Sequence, residues 1–499
     1  MNKQIKLGAI LQYIQMGLSI IISFVYTPLM LRMLGQSEYG LYNLASSIIS
    51  YLSLLSLGFG ASYVRYYTLY KKNAPNKIKN LNGLYLTVFL LIGAIALVSG
   101  IVLSFNVSVF FNSTYSLKDM SIARTLMIFL SINLAISFPM SLFSSFVTSQ
   151  EKFIFQKLLN MGKTVLSPAI SIIALFFGYG SIGLVVVATI VSIVVDIVNI
   201  FYCFRVLKMK ISIKKIDWGI FKDVFVFSFF IAINQIIDQI NWQTDKVILG
   251  KMMTSAAVSI YAIGAIFNTY FIQFSTAISS LFAPRVNKVV VNNKDNQDQE
   301  LTKIMTSVGR IQFFVLALIL IGFIFLGKAF VKIWAGPEYV ESYYVALLLM
   351  VPEIIPLIQN IGIEIQRAMN KHQFRSIVYL IMAIINIGIS ILLVYKFGIV
   401  GAAMGTTISI VIANIFIMNI YYHKKMKLNM FYFWKNIIVI LPSLIIPTFA
   451  GFLISLMPLN TVFELVRGII LLTSIYFVSV LAFGLNKKER EAIRKVAKL

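Results

Sequence analysis

The chain has 499 residues, 59% of them hydrophobic and only 12% charged, with a formal net charge of +25. Ordinary globular chains are about half apolar and about a quarter charged, so this apolar excess cannot hide inside a soluble domain and must face lipid. The basic residues form short clusters between apolar runs, the pattern of membrane orientation, which argues against nucleic acid as a partner.

A membrane-crossing helix needs about 20 mostly apolar residues. The first such run follows Lys3 and Lys6 and continues to Leu34; it exceeds a signal-peptide core and reads as a retained span. Fourteen spans are predicted, at roughly 8–33, 40–69, 81–105, 124–148, 158–178, 182–206, 222–250, 256–283, 305–327, 342–368, 377–396, 400–422, 433–456 and 461–485. The turns "FGYGSIG" and "KFGIVG", before spans 6 and 12, are very short. Alternate loops carry the basic residues: Lys71, Lys72, Lys77 and Lys79; Lys208, Lys210, Lys214 and Lys215; Arg285, Lys288 and Lys294; Lys424, Lys425 and Lys427; and a tail with Lys487, Lys488, Arg490, Arg494, Lys495 and Lys498. The positive-inside rule then places both termini in the cytoplasm. No loop between spans is long enough for a soluble catalytic domain. Cys203 is the single cysteine, which excludes an internal disulfide, and His372 and His423 lie beside basic residues, with no metal-ligand spacing. No cofactor is implied.

Similarity recurs within the chain at an offset of about 219 residues. "LRMLGQSEYGLYNLASSI" matches "LGKMMTSAAVSIYAIGAI", pairing Arg32 with Lys251; "GSIGLVVVAT" matches "GIVGAAMGTT", pairing Gly180 with Gly398, Thr189 with Thr407 and, further on, Asp196 with Asn414. An offset of six spans preserves direction, so these are parallel repeats related by an axis along the membrane normal. The predicted fold is an all-α polytopic membrane protein of about fourteen transmembrane helices. It has two six-helix lobes, 1–210 and 211–430, and an appendage over 431–499 with spans 13 and 14 and the basic tail.

The polar residues of span 7 are unusual. Asn234, Asp238, Asn241 and Asp245 recur at helical spacing on one face, with Gln235, Gln239, Trp242 and Lys246 on the adjoining stripe. One charge at the bilayer centre costs about 3 kcal/mol on the insertion scale, so this sector is expected to line a water-filled cleft. Lys246 and Lys251 could instead snorkel from the span end. Asp196, within span 6, reads as a cavity acid or as an interhelical hydrogen-bonding group. Glu353 sits between Pro352 and Pro356 in span 10, where freed carbonyls beside a carboxylate suit either a transport path or a simple kink. Arg32, Arg65, Arg285 and Arg367 lie near span ends and read as interfacial anchors or as phosphate-binding cations.

"TPLMLRMLGQSEYGLYNLASS" (27–47), "TDKVILGKMMTSAAVSIYAIG" (244–264) and "FGIVGAAMGTTIS" (397–409) resemble the signatures of bacterial polysaccharide exporters, the oligosaccharide-lipid flippases. Thr254 and Ser259 depart from that pattern, standing where the family often has glycine. The resemblance implies a two-lobed alternating-access transporter of the bacterial cytoplasmic membrane, and no enzyme. Its substrate would be an undecaprenyl-diphosphate-linked oligosaccharide repeat unit, moved from the inner to the outer leaflet for capsule, exopolysaccharide or O-antigen assembly. Lys246, Lys251, Arg32, Arg65 and Arg285 would hold the diphosphate, and Asp238, Asp245, Asn234, Asn241, Asp196 and Glu353 would line the cavity or carry a coupling proton or Na⁺. Membrane lipids, a polysaccharide polymerase and chain-length machinery would be its partners. A lipid II flippase and a cation-coupled multidrug exporter share the superfamily and are the alternatives, with a membrane-embedded polymerase or ligase as a third.

Overall fold

A computed structural model describes residues 3–213, 218–292, 295–487 and 489–491. Lys214, Lys215, Lys294, Lys488, Arg494, Lys495 and Lys498 lie outside the described residues, as does the side chain of Asn234. Among the described residues every regular element is a helix.

Ten stretches are long and apolar enough to cross a membrane, and an eleventh is the pair Ser342–Ile358 and Ile361–Ala368, bent by 47°. Two of the ten each contain a helix break, at Gly35 (φ 74°) and Gly398 (φ 58°), and so are two helices apiece. With Trp218–Met252, a helix of 35 residues, the described residues hold fourteen helical segments in the places of the predicted spans. In chain order they are α1 (3–34), α2 (36–73), α3 (Ile78–Phe105), α4 (Leu117–Ser149), α5 (Phe153–Phe176), α6 (Gly180–Val206) and α7 (Trp218–Met252). There follow α8 (Ser255–Asn292), α9 (Gln297–Trp334), α10 (the bent pair), α11 (373–397), α12 (399–424), α13 (Met430–Ser455) and α14 (Val462–Gly484).

The two glycine breaks are hairpins. Around Gly398 the contacts run antiparallel: Leu393 meets Gly401, Asn386 donates to Thr406 (3.3 Å), Tyr379 donates to Asn414 (2.5 Å), and Phe374 stacks on Tyr421 (4.3 Å between centroids). Around Gly35 the chain likewise goes out and returns. Gln4 accepts from Ile154 N in the first turn of α5 and Tyr67 accepts from Gln150 just before it, whereas Glu38 lies at Ser181, beyond the far end of that helix. A positive φ is strained for residues with a Cβ, so glycine is the residue that lets each reversal occupy a single position. Gly180, which the internal repeat pairs with Gly398, has a matching φ of 56°.

Helix starts are set locally where the sequence supplies caps. Ser116 with Asp119 and Thr461 with Glu464 form reciprocal capping boxes at the starts of α4 and α14. At the start of α6, Glu38 from the α1–α2 hairpin accepts from Ser181 N (2.6 Å) and Ser181 Oγ (2.7 Å), capping that helix from a distance in sequence.

The chain packs as two compact units, Met1–Ser259 and Ile260–Leu499. In the first, an aromatic core of Phe59, Tyr63, Tyr67, Tyr85 and Phe89 joins α2, α3 and α4. In the second, α13 and α14 pack on α9 through Ile321, Leu326, Ile454, Leu465, Leu472 and Tyr476. Arg310 of α9 fastens this packing. It is 3% exposed and grips Glu489 with two bonds (2.7 and 2.8 Å) while donating to the carbonyls of Asn436 and Gly484.

Candidate functional site

The polar sector of α7 divides into two parts. Its glutamine stripe is bonded to the second span: Ser56 donates to Gln235 (3.4 Å), Ser50 to Gln239 (3.2 Å) and Ser47 to Gln243 (2.9 Å), while Gln239 donates to Ser53 (3.0 Å). Tyr51 and Thr244 share a further hydrogen bond of 2.6 Å. The partner numbers fall along α2 as those on α7 rise, so the two helices are zipped antiparallel. In water such bonds add little, but within a membrane each unpaired amide would cost several kcal/mol, and the zipper removes that penalty. Of the stripe expected to line a cleft, Gln235 and Gln239 are bonded to α2, while Trp242 is exposed and Lys246 bonds within its own helix.

The remaining residues of α7 are spread out. Asp238 and Trp242 are exposed and Asn241 is half-buried, whereas Asp245 is 2% exposed and acts electrostatically on Tyr51 and Lys246. Lys246 donates to Gln243 (3.3 Å). Lys251, exposed at the end of α7, donates to the carbonyls of Ser108 (3.5 Å) and Phe111 (3.4 Å) in the α3–α4 loop. Asn112 of that loop donates to the Met253 carbonyl (2.6 Å), Ser37 shares a hydrogen bond with Ser255 (2.8 Å), and a Cβ on Gly40 would lie 1.8 Å from the Ser255 oxygen. The first hairpin, the α3–α4 loop and the α7–α8 turn are therefore held together by these side-chain bonds and by the close approach of Gly40 to the Ser255 carbonyl. Arg32, Arg65 and Arg285 are exposed.

Asp196 lies elsewhere in the first unit. It is half-buried at a cavity of about 390 Å³ among α2, α4, α5 and α6, lined by Gly60, Asn133, Ser137, Ser141, Ser144, Ser145, Lys163, Thr189 and Ser192. Asn133, Ser137, Ser141 and Ser144 fall on one face of α4, and Thr189, Ser192 and Asp196 on one face of α6. Several of the lining protons are already spent: Ser137 donates to Leu134 O, Ser141 to Ser137 O, Thr189 to Val185 O, Asn133 Nδ2 to Thr189 and Asn199 Nδ2 to Ser144. A hydroxyl has one proton and two lone pairs, so the hydroxyls bonded in this way turn acceptors toward the cavity. Facing them are one carboxyl, Asp196, and one cation, Lys163, which is exposed at the cavity and whose charge acts on that carboxyl. This surface suits a cation or an exchanging proton.

Sequence reasoning found Asp196 but missed Lys163, Asn133 and the serine face of α4. The available signals were a lysine at the middle of an apolar span, in "LLNMGKTVLSP", and the periodic serines of "SINLAISFPMSLFSSF".

In the second unit Glu353 is half-buried on α10, and the charge of Arg375 acts on it. The Arg375 guanidinium lies 4.5 Å from the centre of the Tyr379 ring, Tyr379 donates to Asn414, and Asn414 sits in the π-helical stretch Val411–Met418 of α12. Such stretches recur at functional sites. Asn414 stands where sequence similarity aligns it with Asp196, and the acids lie on α6 in the first unit and on α10 in the second. Among the described residues no cluster of three or more histidine, cysteine, aspartate or glutamate side chains could hold a metal ion.

The sequence profile of a family described as polysaccharide biosynthesis protein matches residues 8–291, more than half of the chain. The chain belongs to the polysaccharide biosynthesis protein family. A curated relative from Shigella flexneri, named as an O-antigen transporter, is 23% identical over 398 residues, covering 78% of this family member and 91% of the relative. Among solved structures, the lipid II flippase MurJ in an inward closed conformation is similar with a TM-score of 0.76 and 17% identity, covering 95% of this chain and 98% of that one. An inward-facing multidrug resistance MATE family transporter of the MOP superfamily is similar with a TM-score of 0.59 and 12% identity, over 82% of this chain and 96% of that one. At these identities the two structures establish the fold alone, that of a multi-pass helical membrane protein.

Proposed function

We propose that this family member is a flippase carrying lipid-linked oligosaccharide repeat units, on undecaprenyl diphosphate, from the inner to the outer leaflet of the cytoplasmic membrane. The observation that carries the reading is the family match over residues 8–291 in a chain with ten stretches long and apolar enough to cross a membrane among its described residues. Physical chemistry supports it. Sugars and a diphosphate need a polar route across hydrocarbon, whereas a polyprenyl tail is content in lipid. The exposed Arg32, Arg65 and Arg285 are suited to pairing bidentately with phosphate oxygens, with Lys246 and Lys251 as point charges. Asp196 and Glu353 are the acids to which coupling is assigned, with Asp238 as a third on the exposed side of α7. Both termini are cytoplasmic in this reading, and a polymerase with its chain-length machinery receives the flipped unit.

The test uses cells lacking the chain. Their lipid-linked sugars are extracted, and leaflet exposure is probed with a membrane-impermeant glycan-cleaving reagent. A protected repeat unit that accumulates and is cleared by the wild-type gene is the expected result. Accumulation of lipid II instead would identify a cell-wall flippase, and unchanged lipid-linked sugars with altered drug sensitivity would identify a multidrug exporter.

A further inference from the structure

The cavity of the first unit carries a feature that a simple ion-coupled carrier has no need of. Its acid already has a cation within electrostatic reach, on a neighbouring helix. Lys163 stands on α5 and Asp196 on α6, and both line the same cavity of about 390 Å³. Among the described residues the other walls add no charge: α4 contributes Asn133 and serines, and α2 contributes Gly60. A lysine ammonium on its four-carbon stem is a mobile point charge with three donors. The acceptor oxygens of Ser137 and Ser141, whose protons are spent on their own helix, are suitable ligands for those donors.

We propose that Lys163 is a tethered cation that holds the place of an alkali ion at Asp196, so that the species this site exchanges is a proton and not Na⁺. Sodium needs several oxygen ligands, and the oxygens within reach are the ones the ammonium uses. The two cations therefore compete, and the tethered one is always present. A proton competes for none of them. It bonds to one carboxyl oxygen of Asp196, and the ammonium turns to the serine and asparagine oxygens of α4. The inference specifies the coupling assigned to Asp196 above, and rests on the flippase reading only for the use made of the proton.

Cation binding is read directly on the purified full chain in lipid nanodiscs, without cargo, so its outcome is independent of what the chain transports. The wild-type unfolding midpoint should not move when N-methylglucamine chloride is replaced by NaCl at constant ionic strength. Lys163→Met should acquire a Na⁺-dependent rise in that midpoint, and Lys163→Met combined with Asp196→Asn should lose it. Lys163→Gln serves the same purpose if the methionine chain fails to fold. Infrared difference spectra of the wild type should show a protonated-carboxyl band that titrates with pH and disappears in Asp196→Asn. Sodium stabilisation of the wild type that Asp196→Asn abolishes would overturn the proposal. So would a Lys163 variant that folds and stays blind to Na⁺, or a wild-type spectrum with no titrating band assigned to Asp196.

Discussion

Arg310 in α9 and Lys163 in α5 are both cations placed within apolar helices, and each has an acid partner, yet their surroundings differ in kind. Arg310 is buried and spends its donors on Glu489 and on the carbonyls of Asn436 and Gly484, tying α9 to α13 and to the segment after α14. Lys163 faces a cavity, is exposed there, and meets its carboxyl across space lined by hydroxyls. A charge surrounded by fixed donors and acceptors has one low-energy arrangement and serves as a fastening. One beside mobile alternatives has several arrangements of similar energy, which is what a switching site requires. Burial and the number of committed partners distinguish the two cases together.

The comparison can be broken most forcefully at Arg310. Arg310→Met with Glu489 retained leaves a half-buried carboxylate and the Asn436 and Gly484 carbonyls without their donor and should cost about 2–3 kcal/mol, read as a lowered unfolding midpoint. Adding Glu489→Leu should recover most of that loss, because a buried pair replaced by apolar side chains is often neutral. If Arg310→Met is harmless, the fastening role is wrong. A smaller effect is expected at Glu38, another acid with fixed donors. Glu38→Ala removes the distant cap of α6 and should cost about 1–2 kcal/mol in the same melt. Ser47→Ala removes one bond of the α2–α7 zipper and should cost about 1 kcal/mol. Smallest of all is the stability effect of Asp196→Asn, expected within about 0.5 kcal/mol, although coupled transport in vesicles should be lost. A large stability loss there would make Asp196 a second fastening and erase the contrast.

The apolar runs, the two short glycine turns and the acid in span 6 were all legible in the sequence, because each is a local pattern of composition or spacing. The helices follow from hydrophobic length, and the reversals follow from glycines that tolerate positive φ. Lys163 was not legible: one lysine in an apolar run does not say which neighbouring helix its face will meet, and the cavity exists only once four helices are assembled. The glutamines of α7 misled for the same reason. Their amides look like cleft lining, and only the packing of Ser47, Ser50, Ser53 and Ser56 reveals that they are bonded. Sequence similarity groups α7 with the second half, while packing groups it with Met1–Ser259.

The hairpins at Gly35 and Gly398 set a kinematic rule. One residue spans at most about 3.6 Å, whereas sliding one helix past another by a full turn requires about 5.4 Å. The single-residue links of α1–α2 and α11–α12 therefore have too little slack for a one-turn ratchet, so the two helices of each pair keep their register at the link.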